Sequence, residues 1–171
     1  MFPEMQDMSS IISDAIRVVF KRRLVDRVLR LWTDVAGEQP FPRRDQIEPS
    51  MLGVDWANCI VIAVQPPAQI SHFVHVGEHL AFAHCPDDSL IGILLPHLPQ
   101  VLSERRCLTI EGTTTLRGCT VSYRSALYPL SDDGIVIDHV LGVANCRPLR
   151  KNEMPTSPLT QTKWLQSEIL G

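Results

Sequence analysis

The stretch YRSALYPLSDDGIVIDHVLGVANCR, Tyr123 to Arg147, carries the clearest structural signal in this chain of 171 residues. Before residue 128, the odd-numbered residues share one face of a strand and the even-numbered residues Ser122 and Arg124 lie on the other, so we expect the odd-numbered face to be the core face. After residue 134, another set of odd-numbered residues shares a face and is apolar except for His139. Asp133-Gly134 between two such runs is a strong hairpin signal. We therefore predict two antiparallel strands joined by a tight turn at SDDG, Ser131 to Gly134.

The rest of the chain predicts three more strands around a helical segment. Short runs rich in β-branched residues mark the strands, and a stretch without strand alternation marks the helix, with Asp87, Asp88 or Ser89 as its candidate cap. This order predicts an α+β fold, a five-stranded antiparallel sheet with helices on one side. The predicted strands cover 58–65, 69–77, 106–112, 117–130 and 135–147, and the helix covers 89–103.

A long amphipathic helix is predicted at the N-terminus, in SSIISDAIRVVFKRRLVDRVLRLWTDVAG. Apolar residues recur every three or four positions, and Gly37 fits a C-cap. About 28 residues of helix exceed the usual length in a small domain. We therefore expect homodimerisation through the helix, with an interface formed by Ile12, Ile16, Phe20, Leu24, Val28 and Leu31.

The chain divides into three predicted parts. Residues 1–38 form the N-terminal helix, residues 39–147 form the sheet domain, and residues 148–171 form a proline-rich linker with a short C-terminal helix. That last helix is predicted in LTQTKWLQSEIL, and it is too short to be stable without a docking surface.

Composition excludes several classes of function. The net charge is −3, which provides no global attraction for nucleic acid. No apolar run approaches the roughly 18 residues of a membrane span, and the first residues lack a signal-peptide pattern. The five cysteines are odd in number and contain no C-x-x-C, which favours free thiols and a cytoplasmic location.

Several segments resemble the PAS superfamily, and more closely a bacterial subfamily of small PAS-type proteins. The matching segments are LRLWTDVAG, FPRRDQIEPSML, HFVHVGEHLA and ALYPLSDDGIVIDHVLGVANCR. The second segment contains a P-x-R-x-x-I-x-P pattern at Pro42, Arg44, Ile47 and Pro49. The middle of the chain departs from the family, with HFVHV and AHCPDDSLIG where the family has F-R-Y-R and G-R-D-L-T-G words. The resemblance covers roughly residues 29–147.

The resemblance implies a non-enzymatic sensory or regulatory module that dimerises or acts on a separate signalling partner. It also implies that a small ligand, where one is bound, lies between the sheet and its helices. No motif identifies the ligand or a cofactor, so the cofactor stays unknown. The closing hairpin predicts a ligand site made by Tyr123, Ser125 and His139, polar groups in a mostly apolar setting. The alternative reading is that His139 only finds a hydrogen-bond partner in Tyr123 or Ser125.

A haem or metal sensor is the alternative function, because histidines crowd the segment from His72 to Cys85. His79, His84 and Cys85 are the candidate ligands, since imidazole and thiolate suit zinc or haem iron. His72 and His75 differ by an odd number and are expected on opposite faces of a strand. Ordinary surface or hydrogen-bonded histidines are the competing interpretation. No nucleophile, phosphate-loop or metalloprotease motif is present, which argues against an enzyme.

Overall fold

A six-stranded antiparallel sheet forms the centre of the chain. The structure, a computed structural model, describes residues 23–65, 71–80 and 89–163. The strands are β1 (Cys59–Ala63), β2 (His72–Val76), β3 (Cys107–Leu116), β4 (Cys119–Leu130), β5 (His139–Pro148) and β6 (Leu159–Lys163). Their order is β2-β1-β5-β4-β3-β6. The predicted α+β class is confirmed, but the sheet has one strand more than the five expected.

Four α-helices and three 3-10 turns accompany the sheet in the described part of the chain. The helix Leu90–Leu94 begins at Ser89, one of the three candidate caps, whose side chain accepts a hydrogen bond from the backbone N–H of Gly92 at 3.3 Å. None of the described helices is long and apolar enough to cross a membrane. The helices are α1 (Leu24–Ala36), α2 (Pro49–Leu52), α3 (Leu90–Leu94) and α4 (Leu98–Glu104), and the turns are Arg44–Gln46, Gly53–Asn58 and Leu95–His97.

Helix α1 packs on one face of the sheet. Leu141 of β5 pairs with Val61 on one side and Tyr128 on the other, so the three side chains share this face. The hydroxyl of Tyr128 donates a hydrogen bond to the carbonyl of Val25 in α1 at 2.7 Å. This contact fixes α1 against the centre of the sheet.

The opposite face is covered by α3 and α4, which corrects the prediction of helices on one side. Ile62 follows Val61 and therefore points away from α1. It lines a small cleft together with Leu95 and Leu98. The physical reason lies in β1 and β5, which are buried on both faces and read as continuous apolar runs rather than as alternating strands.

The predicted N-terminal helix does not run unbroken to Gly37. Arg23 has an extended backbone, with φ −58° and ψ 142°, so α1 begins at Leu24. Its end is as predicted, since Gly37 adopts φ 58° and donates its N–H to the carbonyl of Thr33. Ile12, Ile16 and Phe20 of the predicted interface lie outside the described residues.

The described half of that interface faces the chain's own core. Leu24 and Val28 are 2% and 1% exposed, and Leu31 is half-buried against the same core. Trp32 adds a hydrogen bond from its indole N–H to the carbonyl of Pro129 at 2.9 Å. These residues were predicted to contact a second copy, and that prediction is wrong for Leu24 and Val28, because the sheet already covers them.

The SDDG segment is part of an eight-residue loop rather than a tight hairpin turn. β4 ends at Leu130 and β5 begins at His139. The Asp133 carboxylate accepts hydrogen bonds from the backbone N–H groups of Ile135 and Val136, both at 2.8 Å. A side chain that satisfies the backbone in this way competes with strand pairing. Ile135 and Val136, predicted in the fifth strand, are therefore exposed in the loop.

The C-terminal segment adds a strand where a helix was predicted. β6 pairs with the outer edge of β3, with Leu159 opposite Glu111 and Lys163 opposite Cys107. Thr160 and an alternating pattern suit a strand, and the open edge of β3 supplies the hydrogen-bond partners that a short isolated helix lacks. The predicted helix beyond residue 163 lies outside the described residues.

Candidate functional site beside Trp56 and His75

Two aromatic rings from separate elements stack at one end of the sheet. Trp56 comes from the 3-10 turn before β1, and His75 comes from β2. Their ring centroids are 3.7 Å apart and the planes differ by 10°. The Nε2 atom of His75 also lies 3.3 Å from the carbonyl oxygen of Trp56. The stack and this polar contact hold the two rings as one unit, which we call the ring pair.

A β-bulge in β2 sets the direction of His75. Val61 pairs with His75, but its neighbour Ile62 pairs with Phe73, so Val74 is the extra residue. His75 therefore shares the face of Val61, on the side of α1. The same bulge places His72, which pairs with Ala63, on this face. The expectation that His72 and His75 point to opposite faces is thus wrong.

Gly77 allows the turn that carries Trp56 to approach the end of β2. A Cβ atom at Gly77 would lie 2.3 Å from the carbonyl oxygen of Ala57 and 2.8 Å from that of Trp56. The Gly77 N–H donates to the carbonyl of Cys59 at 2.7 Å. Only glycine fits this approach without displacing the backbone that positions the tryptophan.

The ring pair forms one wall of a cleft of about 520 Å³. Its floor is made by Val61, Leu130 and Leu141 of the sheet, all buried. The opposite wall comes from the segment around the Arg44–Gln46 turn and α2. The complete lining is Arg44, Asp45, Ile47, Glu48, Pro49, Trp56, Val61, Val74, His75, Leu130 and Leu141. Three of the four positions of the P-x-R-x-x-I-x-P pattern are thus cleft residues.

The charged groups at the rim of the cleft differ in their partners. Asp45 accepts a hydrogen bond from the Nε of Arg43 at 3.0 Å. Glu48 lies 3.5 Å from the hydroxyl of Ser50. The guanidinium of Arg44 makes no hydrogen bond or ion pair with any residue that the structure describes. One positive group at the rim is therefore available to a bound molecule.

The neighbour of Trp56 ties the cleft to α1. Asp55 accepts two hydrogen bonds from Arg27, at 2.9 Å from Nε and 2.8 Å from the terminal nitrogen. This bond to Asp55 holds the pKa of Arg27 above its ordinary value. The thiol of Cys59 donates to the Asp55 carbonyl at 3.2 Å, and burial raises the pKa of Cys59 to about 12. The turn before β1 is thereby fixed to both the helix and the sheet.

The predicted ligand residues Tyr123, Ser125 and His139 are not brought together. His139 pairs with Leu130, which lies on the face of α1, whereas Tyr123 and Ser125 point to the other face. Ser125 donates to the carbonyl of Ile110 at 3.1 Å, and His139 lies 2.7 Å from a carboxylate oxygen of Asp138. Burial raises the pKa of Tyr123. The partner of His139 is therefore its neighbour in sequence, not a residue of β4.

Of the three predicted metal ligands, only His79 lies among the described residues. His79 is exposed, with Nδ1 3.2 Å from the side-chain oxygen of Asn58. His84 and Cys85 lie outside the described residues. Among residues 23–65, 71–80 and 89–163, no group of three or more His, Cys, Asp or Glu side chains is placed to hold a metal ion. The metal site stays a prediction.

Comparisons with protein-family models, with curated proteins and with solved structures gave no match to this chain. The candidate site therefore has to be judged on its own geometry. Sequence reasoning did not identify the ring pair, because 19 positions separate the two rings. The one available signal was Gly77 directly after β2, which is typical of a close backbone approach.

Proposed function

We propose that this chain is a non-enzymatic PAS-type sensory or regulatory module that takes a small ligand in the cleft beside the ring pair. The observation that carries the proposal is the coincidence of two independent features. Arg44, Ile47 and Pro49 belong to a segment that resembles the PAS subfamily. The same three residues line the cleft together with Trp56 and His75. A cleft with an apolar floor and few polar groups is the usual form of a small-molecule site.

The bond between Arg27 and Asp55 offers a route from the cleft to α1. A ligand that displaces Trp56 also displaces Asp55, the residue directly before it in the chain. Asp55 holds α1 through two hydrogen bonds, so the position of α1 responds to the cleft. A ligand shifts a protein between two states only if it binds one of them more tightly. Here the two states would differ in the position of Asp55 and, through its bond to Arg27, in the position of α1.

The output is proposed to be self-association or contact with a separate signalling protein. Leu24 and Val28 are occupied by the core, so a contact made by the N-terminal segment uses residues before α1. In the sequence of that segment, Ile12, Ile16 and Phe20 recur every four residues, which is the spacing of one face of a helix. In the full chain, Ile16→Asp should lower self-association measured by light scattering. The control Met154→Asp should not, because Met154 is 81% exposed. Equal association of both variants would contradict this part of the proposal.

Native mass spectrometry of the full chain, purified gently from its own host, tests the ligand. The wild-type protein should carry an added mass of a small molecule, and Trp56→Ala should lose it because one wall of the cleft is removed. Met154→Ala is the control, since Met154 is 81% exposed and lies outside the cleft lining. The proposal fails if no added mass is found, or if Trp56→Ala retains it.

Hydrogen exchange then tests the route to α1. Ligand-dependent protection of the α1 amides should be present in the wild type and lost in Asp55→Asn, which removes the charge that Arg27 pairs with. Ligand affinity should stay within about threefold, because Asp55 does not line the cleft. An unchanged protection pattern in Asp55→Asn would exclude this route.

A further inference from the structure

We infer that the ligand of this cleft is a zwitterion, an α-amino acid with an apolar side chain, whose carboxylate pairs with Arg44 and whose ammonium group pairs with Glu48. The inference rests on the proposed function for the presence of a small ligand in this cleft. It adds the chemical class of that ligand, which follows from one unpaired charge of each sign at the rim and from the apolar surface of the floor.

Among the described residues, one positive and one negative group of the rim lack a partner of opposite charge. Arg44 makes no hydrogen bond or ion pair with any described residue. Glu48 has only the neutral hydroxyl of Ser50, at 3.5 Å, which is longer than a normal hydrogen bond between oxygens. The third charged residue of the lining, Asp45, is already paired with Arg43 at 3.0 Å. The rim therefore offers a bound molecule one charge of each sign.

The two unpaired groups belong to the same edge of the cleft. The N–H of Ile47 donates to the carbonyl of Arg44 at 3.2 Å. The Cα atoms at the ends of such a turn lie within about 7 Å, so the Cα of Glu48, one residue further, lies within about 11 Å of that of Arg44. Both side chains line the cleft, yet they form no ion pair with each other. A headgroup that carries both charges can bridge them.

The floor of the cleft selects an apolar side chain. Val61, Leu130 and Leu141 are 6%, 1% and 1% exposed, so the cleft ends on a small apolar surface. The ring pair stands beside this surface as an aromatic wall. An apolar group is stabilised there because it removes both surfaces from water. Charges at the rim and apolar groups at the floor thus match the two ends of an amino acid with an apolar side chain.

A ligand with a single charge satisfies only half of this rim. An organic anion pairs with Arg44 but brings its charge towards the Glu48 carboxylate. An organic cation pairs with Glu48 but brings its charge towards the Arg44 guanidinium. Since like charges repel, each of these ligands has an unfavourable contact that offsets part of the favourable one. A zwitterion pairs with both groups and leaves the net charge of the cleft unchanged.

Isothermal titration calorimetry at pH 7 with three matched probes tests the inference on the full chain. L-phenylalanine carries both charges, 3-phenylpropanoate lacks the ammonium group, and 2-phenylethylammonium lacks the carboxylate. Phenylalanine should bind about fivefold more tightly than either analogue, the size of one solvent-exposed ion pair. The apolar part is the same in all three probes, so the differences between them report on the charged groups.

Two rim variants assign each charge of the ligand to its partner. In Arg44→Gln, phenylalanine should bind no better than 2-phenylethylammonium, and in Glu48→Gln no better than 3-phenylpropanoate. Arg30→Gln and Glu38→Gln remove the same charges from exposed residues outside the cleft lining, so both controls should keep the full preference. Both rim residues are exposed and Glu48 makes no side-chain cap hydrogen bond, so circular dichroism should find both rim variants folded.

The possible failures separate the ligand class from the proposed function. A singly charged analogue that binds as tightly as phenylalanine overturns the zwitterion, and so does a preference that survives in either rim variant. Failure of all three probes to bind overturns it as well. In each of these cases the proposed function still stands if the native mass spectrum shows a ligand that Trp56→Ala loses. Absence of any such ligand defeats both the function and the inference.

Discussion

Replacing Gly77 by alanine should destabilise the protein by opening the turn that carries Trp56. The added Cβ would meet Ala57 O at 2.3 Å, Ala57 C at 2.5 Å and Trp56 O at 2.8 Å. All three obstacles are backbone atoms, which cannot move aside by changing a rotamer. The turn itself is held by Asp55 and by the N–H of His79, which donates to the carbonyl of Ala57 at 2.9 Å.

The magnitude follows from the cost of overpacking. Extra methyl groups in a packed site typically cost about 1–3 kcal/mol, and a backbone obstacle puts Gly77→Ala at the upper end, about 3 kcal/mol. For a chain of this size the change corresponds to a drop in Tm of about 6–12 °C. Gly77 has no positive φ among the described backbone angles, so the cost is steric rather than conformational.

Gly142→Ala provides the comparison. Its Cβ would meet Ile60 Cγ1 at 2.7 Å, Ile60 Cδ1 at 3.0 Å and a Leu127 methyl at 3.3 Å, and these side-chain atoms can shift by rotation about χ angles, which backbone atoms cannot. Urea denaturation should therefore rank Gly77→Ala as more destabilising than Gly142→Ala, which should cost about 1–2 kcal/mol. Gly77→Ala should also lose the ligand mass in native spectrometry, because the ring pair separates. The reverse ranking, or a loss below about 1 kcal/mol for Gly77→Ala, would refute the reasoning.

Three further changes test other parts of the fold. Tyr128→Phe should cost about 1 kcal/mol in urea denaturation, since it leaves a buried carbonyl of α1 without this donor. Asp133→Asn should destabilise the loop at neutral pH, because hydrogen bonds from the backbone N–H groups of Val136 and Ile135 hold the pKa of Asp133 below its ordinary value. That contribution exists above the unfolded pKa and is lost as pH falls through the lowered folded pKa, so the wild type and Asp133→Asn should converge in stability on acidification. Iodoacetamide at pH 8.5 should modify exposed Cys119 in the folded protein and spare Cys59, whose pKa is about 12, as peptide mass mapping would show.

Local signals were sufficient where neighbouring residues decide the structure. The run NCIVIAVQ contains β1, the C-cap lies at Gly37 as predicted, and the cap of the helix after residue 88 is Ser89, one of the three candidates. In β4, the predicted core positions Tyr123 and Ser125 are buried. Each of these features depends on side chains or turns within a few residues, which periodicity and capping rules describe well.

The predictions were wrong where a residue distant in sequence, or a side-chain hydrogen bond to the backbone, decides the local structure. Asp133 binds backbone N–H groups two and three residues ahead, so an Asp-Gly pair that favours a tight hairpin instead sits in a longer loop. The segment from Leu159 had amphipathic helical spacing, but the free edge of β3 was available to it. Helices on both faces could have been suspected from the unbroken apolar runs of β1 and β5.

The candidate site shows why strand parity alone could not find it. Parity assigns His72 and His75 to opposite faces, yet one extra residue, Val74, reverses the assignment and turns His75 towards the turn that carries Trp56. A bulge is not encoded by periodicity, because the same five residues also fit a regular strand. Gly77 allows the turn that carries Trp56 to approach β2, and the bulge orients the His75 ring so that it stacks on Trp56. The cleft therefore depends on two departures from regular β-structure, which is where functional sites in β-sheets tend to occur.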